Sequence, residues 1–133
     1  MNTKHSILKK ILNLIPILFL VACAGTTSGS KPEKIVEDYL SALVNKDSNT
    51  VSLLSCADWE QSALMELDSL QAFDVRSEGI SCKRTGTDGD FTVVSCQGKI
   101  IASYNGEDQE IDIGNRNYQV ILQDRENLVC GYQ

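Results

Sequence analysis

Ala63-Leu64-Met65-Glu66-Leu67-Asp68-Ser69-Leu70-Gln71-Ala72-Phe73-Asp74-Val75-Arg76-Ser77 holds the change of period on which the fold turns. Before it, apolar residues recur at Trp59, Ala63, Leu64, Leu67 and Leu70, the spacing of one helix face. A helix is therefore expected over about 57–71, capped by Ser55 or Asp58. Met65 lies off that stripe. After Phe73 the helical period stops, turn residues fall at short intervals, and every later segment reads as strand.

Toward the N-terminus the helical spacing returns at Ile35, Val36, Tyr39, Leu40, Leu43 and Val44, so an amphipathic helix is expected over about 32–46. Ser30 and Glu33 have capping-box spacing, and Pro32 falls in the first turn, where its missing N–H costs nothing. Asn45-Lys46-Asp47 breaks the pattern. Residues 48–54 then suit a short second helix packing Val51, Leu53 and Leu54.

Downstream, strands are expected over 75–83, 91–104, 109–123 and 128–132. The third is bent or bulged at Gly114-Asn115-Arg116-Asn117, and Asp88-Gly89 and Asn105-Gly106 supply turns. Helices first and an antiparallel meander afterwards make an α+β domain, with N-terminal helices packed on one face of a sheet of about four strands.

Residues 1–22 differ in kind. Lys4, Lys9 and Lys10 precede or interrupt an apolar run that begins near Ile7 and ends at Leu20-Val21-Ala22-Cys23. A basic start, an apolar centre and small residues before a cleavage point form a secretory signal. Residues 7–22 fall short of the roughly 20 needed to cross a bilayer, and Asn13 and Pro16 interrupt them. The ending resembles the lipobox of bacterial lipoproteins. That resemblance implies that Cys23 carries a diacylglyceryl group and becomes the first residue of the mature chain. Two acyl chains suffice for stable anchoring. The expected organisation is a signal peptide at 1–22, a lipidated Cys and Gly/Ser/Thr tether at 23–31, and one domain at 32–133.

All 18 acidic residues but only 9 of the 12 basic ones lie beyond residue 22, so the mature part carries a net charge of −9. Such acidity disfavours nucleic acid as a partner and close contact with anionic headgroups. The one histidine, His5, leaves with the signal. Cys56, Cys82, Cys96 and Cys130 are an even set in a small exported domain with no Cys-x-x-Cys pair, which suggests two disulfides; a four-cysteine zinc site is the alternative.

The expected pairing is Cys82–Cys96 and Cys56–Cys130. A three-residue hairpin loop at Asp88–Asp90 puts Cys82 opposite Cys96, whereas a two-residue loop of Asp88-Gly89 leaves it opposite Ser95. Cys56 and Cys130 then clamp the helices to the last strand.

Several local stretches resemble the cone-shaped superfamily named after nuclear transport factor 2, in its small bacterial lipoprotein branch. They are Ile35-Val36-Glu37-Asp38-Tyr39-Leu40, the short helix after Lys46-Asp47, Ser77-Glu78-Gly79-Ile80-Ser81-Cys82, Asn105-Gly106-Glu107 and Leu128-Val129-Cys130-Gly131. The resemblance covers about residues 32–132. It implies a sheet curled around the helices with a pocket inside the cone. In some relatives, ketosteroid isomerase and scytalone dehydratase among them, that pocket is catalytic; in many others it binds a ligand or partner.

Isomerase or dehydratase chemistry needs a buried general base and a donor facing developing negative charge. Only carboxylates are available as bases, and the sequence displays no converging polar set. Asp38 and Tyr39 are adjacent, but neighbouring helix residues point about 100° apart, so Asp38 reads as a surface charge and Tyr39 as a core residue with its hydroxyl at a rim. Trp59 is a packing anchor that could also line a pocket, and Tyr39 and Trp59 are the candidate pocket-lining residues. Asp88-Gly89-Asp90 and Glu107-Asp108-Gln109-Glu110 lack the spacing of a calcium loop. No catalytic residue, metal or cofactor is assigned. The expectation is an envelope lipoprotein held to the bilayer by Cys23, binding a small apolar ligand or another envelope protein, with carboxylate-based lyase or isomerase chemistry as the alternative. Ala24 and Gly25, with no Asp after Cys23, point to the outer membrane facing the periplasm where the host has one, and otherwise to the outer face of the cytoplasmic membrane.

Overall fold

The computed structural model describes residues 29–133. The signal segment, Cys23 and most of the tether lie outside the described residues. Three helices come first: α1 (Pro32–Val44), α2 (Ser48–Leu54) and α3 (Ala57–Ser69). Five strands follow: β1 (Asp74–Asp88), β2 (Phe91–Tyr104), β3 (Glu107–Asp112), β4 (Asn117–Gln123) and β5 (Glu126–Tyr132). The helices pack on an open antiparallel sheet of order β1-β2-β4-β5, in which β3 also pairs with β2.

The expected third strand is two strands. β1 occupies one side of β2, so β3 and β4 share the other, β3 against 99–104 and β4 against 91–95. Between them the chain leaves the ladder. Asp112 accepts from the Gly114 N–H at 2.8 Å and from Asn115 Nδ2 at 2.6 Å, while Ile113 is fully buried. Local side-chain acceptance of this kind competes with strand pairing, and it gives five strands where about four were expected.

The β1–β2 hairpin reaches its register by another route than expected. Its loop is Gly89-Asp90, with Asp88 opposite Phe91, rather than the three residues Asp88–Asp90. A bulge between Arg84 and Gly86 then adds one residue to β1 and restores the Cys82–Cys96 pairing. The two are disulfide-bonded with their Cα atoms 4.0 Å apart. Cys56 bonds to Cys130, Cα atoms 5.3 Å apart. Cys56 N–H also donates to the Val129 carbonyl at 2.8 Å, and Ser55 bridges Val129 in parallel, so the α2–α3 junction covers the β5 edge.

Three local expectations are corrected. Lys31, not Ser30, is the N-cap of α1, because Pro32 takes the first helical position, where its fixed φ is pre-organised. Cys56 takes the N-cap of α3 in place of Ser55 or Asp58; Ser55 Oγ donates back to Val51 O at 2.7 Å. In α2, capped by Asp47 through Thr50 N–H at 3.1 Å, Val51 is buried but Leu53 is 76 % exposed rather than packed. The core between layers is built from Val36, Tyr39, Leu40, Leu43, Val51, Ala63 and Leu67, facing Val94, Ile100, Ile113, Tyr118, Val120 and Val129.

Candidate functional site: a largely buried ion pair beside a cavity

α3 places Trp59, Ala63, Glu66 and Leu70 on one face, since positions three and four apart are neighbours on a helix. Glu66 is thus a carboxylate within an otherwise apolar stripe. The break between β3 and β4 brings Arg116 toward it. Arg116 Nη1 lies 2.7 Å from Glu66 Oε1, with the two side chains 20 % and 18 % exposed. Arg116 also stacks over the Tyr132 ring, its Cζ 4.1 Å from the ring centroid.

Aromatic side chains hold this pair from behind. Tyr39 Oη donates to Glu66 Oε2 at 3.3 Å, and Trp59 Nε1 donates to Tyr39 Oη at 3.1 Å. Tyr132 Oη donates to Glu66 Oε1 at 3.4 Å. Trp59 and Tyr118 each meet the Tyr132 ring edge-on, centroids 5.5 Å apart. Gly131 makes room for this: its φ is +119°, and a Cβ there would lie 3.2 Å from Trp59 Cε3.

Tyr118 is fully buried, and its Oη is the only buried side-chain polar atom among the described residues without a hydrogen-bond partner. Burial pushes its pKa up to about 12, although the nearby Arg116 charge pulls the other way. Burial and then the Glu66 charge raise Tyr39 and Tyr132 as well. All three phenols therefore stay protonated at neutral pH, and Tyr39 and Tyr132 donate to Glu66. Burial opposes the Arg116 charge, but its hydrogen bond to Glu66 and the Glu66 charge outweigh that and raise its pKa.

The pair forms the polar end of a cavity of about 400 Å³. Leu43, Leu70, Ile100 and Ile111 supply apolar wall, Ser69, Glu66, Arg116 and Tyr132 the polar part, and Met65 lines it while remaining 66 % exposed. A small apolar body with one oxygen-bearing group matches such a lining in size and chemistry.

Tyr39 and Trp59, the residues expected to line a pocket, are not in this wall; they form the hydrogen-bonded support behind Glu66. The Tyr39 hydroxyl is buried between Glu66 and Trp59 rather than at a rim. Asp38 is apart from the site and pairs with Lys34 on the surface. Asp108 pairs with Arg76 at 2.7 Å and Glu110 with Lys99 at 3.1 Å, both across exposed sheet surface. Among the described residues no three His, Cys, Asp or Glu side chains are grouped to hold a metal ion. The absence of a converging polar set is the reading that fails: α1, α3, β4 with its lead-in and β5 each contribute to one.

Among the described residues no helix is long and apolar enough to cross a membrane. Comparison of the chain with protein families, with characterised proteins and with solved structures finds no match.

Proposed function

We propose that this chain is an envelope lipoprotein anchored through Cys23, whose cone-like domain of the nuclear-transport-factor-2 kind binds a small, largely apolar ligand without transforming it. The observation that carries the binding role is the 400 Å³ cavity with apolar walls and the Glu66–Arg116 pair at one end. The two disulfides suit an exported domain. The Leu-Val-Ala-Cys ending of the signal supports the anchor.

A second reading, isomerase or lyase chemistry with a carboxylate base, has Glu66 as its candidate, because Glu66 faces an apolar cavity among phenol donors. The hydrogen bonds weigh against it. Oε1 already accepts from Arg116 and Tyr132 and Oε2 from Tyr39, so the carboxylate is committed to the protein. An envelope protein as partner would use an exposed apolar face instead of the cavity.

Native mass spectrometry of the full chain purified from its own host tests the binding role. The wild type is expected to carry a small-molecule adduct, and Ile111→Trp, which fills the cavity, to lose it. An adduct-free wild type overturns the ligand-binding role; an adduct that is chemically altered on incubation overturns the non-catalytic one.

A further inference from the structure

Leu53 and Leu122 are two of the four exposed large apolar side chains among the described residues, 76 % and 64 % exposed. Both stand where the N-terminal tether leaves the domain. Leu53 lines a groove of about 490 Å³ together with Ile35, Leu54, Leu128 and the tether residues Gly29 and Ser30. Leu122 continues the buried alternation of Tyr118 and Val120 out of the core. It pairs across the strands with Asn127, whose Nδ2 donates to the Ser30 carbonyl at 2.8 Å.

The point of departure is fixed, not incidental. Gly29 passes so close to the β4–β5 turn that a Cβ there would meet the Arg125 carbonyl oxygen at 2.5 Å. From Gly29 back to Cys23 there are six residue steps, which span at most roughly 20 Å. A lipid on Cys23 therefore keeps this apolar end within that distance of the bilayer. Lys31, Arg84 and Arg125 stand around the exit beside Glu33, Asp124 and Glu126.

We infer that this face docks on the lipid surface, Leu53 and Leu122 entering the interfacial layer beside the tether. Docking rests on the lipid-anchor reading of Cys23. It orients the domain: the β2–β3 hairpin with Tyr104, at the opposite end of β2 from Phe91, is held away from the membrane.

The test uses the full lipidated chain from its own host, reconstituted in vesicles of phosphatidylethanolamine and dibrominated phosphatidylglycerol. Leu53→Trp and Leu122→Trp are expected to be quenched severalfold more than Tyr104→Trp, which is 56 % exposed in the parent at the far end. The intact mass reads the lipid separately. A lipid mass with equal quenching at all three positions overturns docking and leaves the anchor standing. No lipid mass overturns the anchor and docking with it. Dimers on native mass spectrometry that Leu53→Glu abolishes would give the face to a second copy and also overturn docking.

Discussion

Arg116 reaches Glu66 across 50 residues of chain, Nη1 to Oε1 at 2.7 Å, from a break between two strands to the last turn of a helix. The contact joins the helical layer to the sheet where the core gives way to the cavity of about 400 Å³. Its value lies in mutual neutralisation, since each side chain is about four-fifths buried. Removing one partner leaves the other charged and poorly solvated, which costs more than removing both.

Arg116→Ala and Glu66→Gln are each expected to destabilise the domain by about 2 kcal/mol, and the double variant by clearly less than the sum. Urea unfolding of the four proteins closes the cycle. Additive effects would mean that the pair adds nothing to stability.

The layer order was legible because it rests on local periodicity. Ile35, Val36, Tyr39, Leu40 and Leu43 are all in the core, as one stripe on a helix must be. The Cys82–Cys96 pairing was reached through a wrong loop: a one-residue bulge does what a longer turn was expected to do, and the two are equivalent in residue count. Leu53 misled because a seven-residue helix turns some apolar positions outward whatever their hydrophobicity. Glu66 could have been noticed as the one charge in line with Trp59, Ala63 and Leu70. Arg116 could not: its position depends on the chain leaving the ladder after Asp112, and nothing local names a partner 50 residues away.

Loss of the two disulfides should not be equivalent. On the loop-entropy account, Cys82–Cys96 with a separation of 14 contributes about 3 kcal/mol, and Cys56–Cys130 with a separation of 74 about 4–5 kcal/mol. The longer bridge also fastens the α2–α3 junction over the β5 edge. Replacing Cys56 and Cys130 by Ser is therefore expected to speed amide exchange through residues 48–70 and to promote aggregation, while the Cys82/Cys96 variant leaves α2 and α3 protected. Uniform loss of protection in both variants would refute this division. Non-reducing peptide maps of the wild type should give only the two native cross-linked peptides.

Tyr118→Phe separates stability from binding. The Tyr118 hydroxyl is buried without a partner, and an unsatisfied buried hydroxyl costs on the order of 1 kcal/mol or more. The variant is therefore expected to be more stable at neutral pH by about that amount. Its alkaline behaviour should change as well. The folded-state pKa is raised by burial to about 12, above the ordinary tyrosine value of 10.0, so the unfolded chain loses this proton first as pH rises. The favourable contribution is intact below pH 10 and is lost as pH climbs from about 10 to about 12, with a slope of at most about 1.4 kcal/mol per pH unit from this group. Tyr39 and Tyr132, raised in the same direction, keep part of the alkaline loss in the variant. Urea midpoints from pH 7 to 12 read both effects: Tyr118→Phe should start higher and fall less steeply. A variant less stable at pH 7 would mean that the hydroxyl has a partner in solution.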